Sequence, residues 1–490
     1  MVDSQSAPVA QPARPGGALG VVETRSIDWV PDEERHGKVW HQAPLWFLGN
    51  FQYFTIAVGF VGPSLGLPLG QTVLAGALGI VVGTLFMAFH ASQGPVLGLP
   101  QMIQSRAQFG YRGVIVALAA TIFTYIAFNV ADQVLLAQGL NGIFGWNETA
   151  VALGAGAIAV LLAIYGHDWL HRAFRWLLYV SLPLMVLVTV GVLTGHAGGA
   201  HVANQHLAFT WAAFFAQFSA AAAYNITYAP YVSDYSRYLP RTTSARALIA
   251  SVFFGASGSA VWLIALGGWL ALKLGVSDGL VGLRQAGDHF LPGLGAAAAV
   301  LSALSLVATM GMNAYGGMLT VLTGIDSFRP ITPTRRIRIV AILGLAVVWY
   351  LIASLISANA VATVFTALTL MLYLLVPWTA TNLVDFFFVR RGHYAVTDLF
   401  TPSGIYGAWS WRGLTAYAVG IVAEIPFMVL PDLGGWNYTG PLAKQLAGTD
   451  IAWLVGLAVS ALVFLAAART TDRAGEDAAI ALSEQQLAGV

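Results

Sequence analysis

Twelve stretches of this chain are long and apolar enough to cross a lipid bilayer as helices. They run near residues 44–67, 69–91, 112–140, 149–166, 174–195, 208–232, 246–274, 294–323, 337–357, 359–387, 413–433 and 450–468. A spanning helix needs about 20 mostly apolar residues, within a range of roughly 17–25. In hydrocarbon every backbone N–H and C=O must find its partner inside the protein, and a helix meets that demand within one segment. The composition agrees: 57% of the residues are hydrophobic and 9% charged, where a water-soluble domain carries roughly 25% charged residues. The 53 glycines and 15 tryptophans suit membrane helices and the aromatic belts at their ends. The expected fold class is an all-α polytopic membrane protein with twelve transmembrane helices. A formal charge of +1 leaves no basic surface for nucleic acid. With no cysteine there is no disulfide, thiolate metal site or cysteine nucleophile.

The charged residues orient the spans. With the amino terminus inside, the loops on the cytoplasmic side hold 20 of the 23 Lys and Arg residues; Lys273, Arg284 and Lys444 fall outside. This positive-inside bias supports an even helix count, cytoplasmic termini and a cell-membrane location. The expected organisation is a cytoplasmic tail over 1–40, a transmembrane domain over 41–470 and a second cytoplasmic tail over 471–490. Residues 1–40 are polar, with an acidic cluster at Asp28, Asp32, Glu33 and Glu34, and lack the apolar run of a cleaved signal peptide. The tail from Thr470 reads as a short amphipathic helix or as disorder.

Two spans are interrupted in corresponding places. The first contains Ala57-Val58-Gly59-Phe60-Val61-Gly62-Pro63-Ser64, and the sixth contains Tyr224-Asn225-Ile226-Thr227-Tyr228-Ala229-Pro230-Tyr231. Interrupted helices at matching positions point to a transporter's binding site, because backbone groups freed there can hold solute and ions.

Residues 94–113 include Gly94-Pro95, Gly98, Gln101-Met102, Ser105-Arg106, Phe109-Gly110-Tyr111 and Gly113. This run resembles the loop after helix two in the nucleobase–cation symporter-1 family, in its purine-cytosine permease branch. Trp46, Asn50, Ala57 and Gly59 in helix one match as well. So do Asp234-Tyr235, Arg237 and Tyr238 closing helix six, Asn313 and Tyr315 in helix eight, and Asn382, Asp385, Phe386 and Arg390-Arg391 closing helix ten. The resemblance covers about residues 40–415. It implies a LeuT-type fold: helices one to five (about 44–195) and six to ten (about 208–387) as a 5+5 inverted repeat, with helices eleven and twelve (about 413–468) peripheral. It also implies cation-coupled import of a purine, cytosine or related ring; allantoin, hydantoin, uracil or a vitamin are the alternative substrates.

In that family helix three presents an aromatic and an amide four residues apart, here Tyr125 and Asn129, with Tyr standing where Trp is usual. Stacking on a flat heterocycle and reading its donor–acceptor edge suit these residue types. The resemblance places Tyr228 as the opposing aromatic in helix six, with Tyr224 and Asn225 as nearby alternatives, and Asn313 as the amide of helix eight. Thr309 lies one turn before Asn313, while Thr55 and Asn50 are the polar candidates of helix one. Any single amide here could equally be an interhelical tie.

Sodium-coupled relatives place adjacent Ser/Thr hydroxyls in helix eight where this chain has Gly311 and Met312. Neither side chain offers a hard cation an oxygen, so a proton is the expected coupling ion and sodium the alternative. Asp132 and Glu424 are the acidic residues within the spans, and ionisable groups at such depth typically relay protons or ions. Asp132, three residues after Asn129, is the proton-coupling candidate, whereas Asp234 is expected to anchor helix six to a cytoplasmic Arg. His167 and His171 have a metal-like i, i+4 spacing but read as a solvated loop, and His196, His201 and His206 lie in an outer loop without fixed geometry. The three lysines form no phosphate-binding loop, and no hydrolase motif is present. No cofactor, metal or enzymatic activity is expected. The expected partners are a nucleobase-like solute and the bilayer, with the oligomeric state open.

Overall fold

The computed structural model describes residues 26–199, 207–355, 360–433 and 436–488. His201 and His206, named above, lie outside the described residues. Helices α1a (Gln42–Asn50) and α1b (Tyr53–Ser64) meet at a 60° bend. After them come α2 (Leu69–Ala91), α3 (Ile115–Phe144), α4 (Glu148–Tyr165) and α5 (His167–Leu193). Two pieces, α6a (Trp211–Ile226) and α6b (Ala229–Ser236), make up the sixth segment. Then follow α7 (Ala245–Trp269), α8 (Leu294–Phe328), α9 (Arg335–Leu355), α10 (Ala360–Val384), α11 (Trp411–Glu424) and α12 (Ala452–Ala468).

Their ends follow local chemistry. The side chains of Asn147, Thr210 and Ser244 accept from Ala150, Ala213 and Ala247 N–H and cap α4, α6a and α7, satisfying donors that a helix start leaves orphaned. Gly145, in the left-handed region at φ +69°, stops α3.

Among the described residues eight helices are long and apolar enough to cross a membrane, or ten if α1 and the bent pair of α12 with the tail helix each count as one. That is fewer than the twelve read from the sequence. The segment over 208–232 falls short because Thr227 and Tyr228 divide it. The segment expected over 413–433 is helical only to Glu424; it then becomes a short turn at Ile425–Phe427 and a hairpin, β1 (Val429–Leu433) with β2 (Trp436–Thr439). Pro426 lacks the N–H a continuing helix needs.

The first segment is interrupted twice. The chain leaves helical geometry at Phe51 and Gln52 (φ −152°, ψ 176°), which the sequence did not point to. The helix is interrupted again at Gly59 and Phe60, between Tyr53–Val58 and Val61–Ser64, within the expected stretch. Gln52 causes the first break locally by accepting from Phe54 N–H at 2.5 Å, an N-cap in mid-segment. Gly59 also permits close approach, since a Cβ there would lie 2.3 Å from the Ile264 carbonyl oxygen. Gly79 and Gly83 do the same for α2 on α6a, against the Phe218 and Ala222 carbonyls at 2.2 and 2.3 Å. Small residues that bring backbones together are the usual glue between membrane helices, where lipid removes the hydrophobic drive.

Two helix groups result. In one, α2 packs on α6a and α7, and α1a on α7; in the other, α3, α4, α8 and α9 pack on one another. Helix α5 leans on α8 and α1a, and α10 bridges α3 and α6a to the α11–α12 pair. The tail forms a helix, Arg473–Ala488, of which Glu476 and Ser483 are buried. A further helix, Gly279–Phe290, lies between α7 and α8, with Tyr53 of α1b donating to its capping residue Asp278.

Candidate functional site

Helix α3 presents Tyr125, Phe128, Asn129 and Asp132, spaced i, i+3, i+4 and i+7, a spacing that puts all four on one face. That face looks towards α8 and the two interruptions. Asn313 of α8 is the hub. Its Nδ2 donates to Asn129 Oδ1 at 2.8 Å and to Asp132 Oδ2 at 3.3 Å, and its Oδ1 accepts from Tyr231 O–H at 3.0 Å. Asn129 Nδ2 in turn reaches the Met310 carbonyl at 3.3 Å. Asp132 has no ion-pair partner among the described residues, so its neighbours are amides and aromatic rings.

The aromatic residues form a second layer. Tyr228 faces Phe128 nearly in parallel, 17° apart with centroids 6.0 Å apart, whereas Tyr125 meets Tyr231 edge-on at 4.4 Å and 68°. Tyr125 is seated against Gly316 of α8, where a Cβ would lie 2.7 Å from three atoms of its ring. The structure therefore pairs Tyr228 with Phe128 rather than with Tyr125. Phe128 carried a legible signal, an aromatic three residues after Tyr125, as did Tyr231 three residues after Tyr228.

Around the α1 break the polar groups hold one another. Thr55 Oγ1 donates to the Asn50 carbonyl at 2.5 Å, which leaves Tyr224 O–H to donate to Thr55 at 2.8 Å while accepting from Gln52 Nε2 at 2.8 Å. Tyr228 O–H donates to the Gly49 carbonyl at 3.1 Å. Asn225 Oδ1 accepts from Asn50 Nδ2 at 2.8 Å and its Nδ2 donates to Thr84 Oγ1 at 2.6 Å. Thr309 turns its hydroxyl back to the Ser305 carbonyl of its own helix, at 3.2 Å, and does not join the hub. Gln52, which composition and spacing did not single out, sets the break and braces Tyr224. All ten candidate residues, Asn50 and Asp132 among them, are sealed from solvent, at 3% exposure or less.

Other expected residues fall elsewhere. Gly311 packs against α4, where a Cβ would lie 3.2 Å from the Ala159 carbonyl oxygen. Glu424 is buried in the α11–α12 contact beside Gly456, away from the hub. Asp234 Oδ1 accepts from Gln101 N–H at 3.0 Å and so fastens α6b to the loop after α2. His167 and His171 are not in a solvated loop. They form the first turn of α5 and pack against Tyr235, with centroids 5.6 and 5.8 Å away. No cluster of three metal-binding side chains exists among the described residues.

A split helix opposite a sealed face of amides and rings suits a chain that lets a solute through the membrane, since broken helices free backbone groups where a solute must bind. The protein is a multi-pass membrane permease, not an enzyme. The model of the family described as permease for cytosine/purines, uracil, thiamine, allantoin matches residues 29–456, and the chain belongs to that family. Over 460 residues it is 34% identical to the putative purine-cytosine permease YxlA of Bacillus subtilis, covering 93% of this chain and 98% of the relative. With the purine-cytosine permease fcyB of Emericella nidulans it shares 23% identity, over 91% of this chain and 88% of that one. Its fold is similar to that of Mhp1, a nucleobase-cation-symport-1 transporter solved closed with bromovinylhydantoin bound (TM-score 0.72, 18% identity, 94% of this chain and 99% of that one).

Proposed function

We propose that the chain imports a purine, cytosine or related nucleobase together with a proton. The relatives named as purine-cytosine permeases support the substrate class. One observation carries the site: a sealed set of side chains from α3, α6b and α8 that joins Asn129, Asn313, Asp132 and Tyr231. In this reading the base stacks beside Phe128 and Tyr228, and the two asparagines turn from each other to its donor–acceptor edge. Tyr125, Tyr224, Asn225, Thr55 and Thr309 stand behind this layer as supports.

Asp132 supplies the coupling. Ionised, it accepts from Asn313; protonated, it becomes a donor and releases that amide to the base. Proton and base then favour the same arrangement of Asn313, which is the differential affinity that coupling requires. Gly311 is filled by α4 packing and Met312 brings no oxygen, which favours a proton over sodium. Twelve spans in two inverted sets of five plus a peripheral pair, with both termini in the cytoplasm, fit the 20-to-3 distribution of basic residues. Transport proceeds by rocking the α1–α2–α6–α7 group against α3, α4, α8 and α9.

The test is uptake of radiolabelled adenine, guanine, hypoxanthine, cytosine, uracil and allantoin into proteoliposomes under separate proton and sodium gradients. Accumulation of a purine or cytosine on the proton gradient alone is expected. Sodium-driven accumulation would overturn the coupling, and uptake of allantoin alone would overturn the substrate.

A further inference from the structure

His90, the penultimate residue of α2, is fully buried, and neither ring nitrogen has a hydrogen-bond partner. Two bare imidazole nitrogens inside a protein are costly unless something binds them. The ring lies flat on Trp378 of α10, with centroids 4.8 Å apart and planes 7° apart, and an indole face attracts a cation. The polar side chains that face it are Gln93 and Gln101. From α6b, Ser233 donates to the His90 carbonyl at 3.0 Å. Asp234 holds Gln101 N–H at 3.0 Å, and Arg237 donates to the Ser26 carbonyl at 2.6 Å.

From Gln101 a line of buried amides leads towards the cytoplasmic loops, every donor pointing the same way. Gln101 Nε2 donates to Gln93 Oε1 (2.8 Å), Gln93 Nε2 to Asn382 Oδ1 (2.7 Å), Asn382 Nδ2 to Gln108 Oε1 (3.2 Å), and Gln108 Nε2 to the Asp385 carboxylate (2.5 Å). Asp385, together with Gln108, Arg390 and Glu476, lines a cavity among the cytoplasmic loops. Such a chain polarises each member in the same sense. Its far end rests on the Asp385 carboxylate, which Arg390 also holds at 2.5 Å, and its near end is Gln101 Oε1, an acceptor without a donor. Neutral His90 has one N–H to offer; its second nitrogen becomes a donor only on protonation, beside an aromatic face that favours positive charge.

We propose that His90 is the inner protonation site of the transport cycle, through which the coupled proton leaves. A ring-nitrogen lone pair takes the proton, the resulting N–H donates to Gln101 Oε1, and release returns the proton to water of the cytoplasm as the loops around α6b open. Ser233 ties this event to α6b, the piece that also carries Tyr231 of the hub. The proposal rests on the proton-coupled reading above.

The full-length His90→Gln variant in proteoliposomes tests it, with whichever base of the panel the wild type accumulates. Proton-driven accumulation is expected to fall about tenfold or more, the scale of losing one proton-transfer group. Counterflow exchange of the same base at equal pH, which needs no net proton movement, is expected to persist. Gln101→Met, which removes the waiting acceptor, is expected to shift the pH profile of accumulation in the same direction by less. If wild type follows a proton gradient and His90→Gln accumulates equally well, the role of His90 fails while the coupling stands. If wild type follows sodium alone, both fail. Loss of counterflow as well as accumulation would make His90 structural and overturn the assignment.

Discussion

Two pairs of asparagines lie around the interrupted helices, and their hydrogen bonds are spent differently. Asn50 and Asn225 bind each other at 2.8 Å, and their remaining donors go to the Ala256 carbonyl at 2.9 Å and Thr84 Oγ1 at 2.6 Å. That pair sews α1a, α2, α6a and α7 into one body. Asn129 and Asn313 also bind each other at 2.8 Å, but their other contacts are looser or end on groups that can rotate or titrate: Met310 carbonyl, Tyr231 hydroxyl and Asp132, at 3.3, 3.0 and 3.3 Å. The first pair lies within one helix group, and its bonds stay there. The Asn129–Asn313 bond lies within the other group, between α3 and α8, but Asn313 also reaches across to α6b through Tyr231; in the proposed function a solute replaces these contacts of Asn313, the crossing one included.

Substitutions break this contrast directly. Asn129→Ala and Asn313→Ala each remove one member and strand the other, and a buried group left unpaired costs about 1–3 kcal/mol. If that loss falls on the bound complex, uptake at low substrate drops roughly tenfold to a hundredfold, with thermal unfolding of the detergent-purified protein unchanged. Normal uptake in both variants would show that the second pair is also scaffold. Asn225→Ala should do the reverse. It removes one bond each from Asn50 Nδ2 and Thr84 Oγ1, which keep their bonds to the Ala256 and Ile80 carbonyls, and interhelical bonds in membranes are worth about 0.6 kcal/mol on average and about 1.7 at most. Lower thermal stability with nearly normal uptake per folded molecule is the expected outcome, and a substrate-specific loss without destabilisation would move Asn225 into the site.

The sequence reading found the helices because apolar length survives any packing arrangement. Helical spacing and family resemblance converge on Asn129, Asn313 and Asp132, which the fold brings into contact. The sequence pointed to one interruption at Gly59 and Phe60, where the helix does break, but not to the larger one, because Gln52 interrupts the helix by capping Phe54, a bond that only the folded chain reveals. Phe128 was overlooked although its spacing from Tyr125 is legible, and Gln101 reads from the sequence only as part of the family signature. An aromatic among aromatics and an amide in a loop gain meaning only when Tyr228 or His90 is brought opposite. The histidines of α5 looked solvated because the loop is short, and Tyr235 covers them from a residue 64 positions away from His171.

Gly316 sharpens the contrast at the site. A methyl group placed there meets the Tyr125 ring at 2.7 Å, and overpacking of this kind costs about 1–3 kcal/mol unless the ring moves. Tyr125 backs the layer around the hub, so Gly316→Ala should raise KM for a purine more than for the smaller cytosine while leaving expression nearly intact. An equal change for both bases would mean that the ring supports the helices without shaping the cavity.

The smallest effect is expected in the scaffold just before α3, at Tyr111. Its hydroxyl donates to Asp326, whose carboxylate also holds Arg106 at 2.8 Å. Burial first, and the Asp326 charge second, push the Tyr111 hydroxyl up to about 12 from its ordinary 10. The unfolded chain would therefore lose this proton near pH 10 while the folded chain keeps it. Stability from this group is fully present below pH 10 and is lost as pH rises from 10 through about 12. Tyr111→Phe removes the titrating hydroxyl, so unfolding measured across pH 9–12 should show a shallower alkaline decline than wild type. KM at neutral pH should stay unchanged, because this tie holds α8 to the loop before α3 and never faces the base. A KM shift in Tyr111→Phe would show that this contact is coupled to the hub, and that scaffold and site are not separable there as they are in the two asparagine pairs.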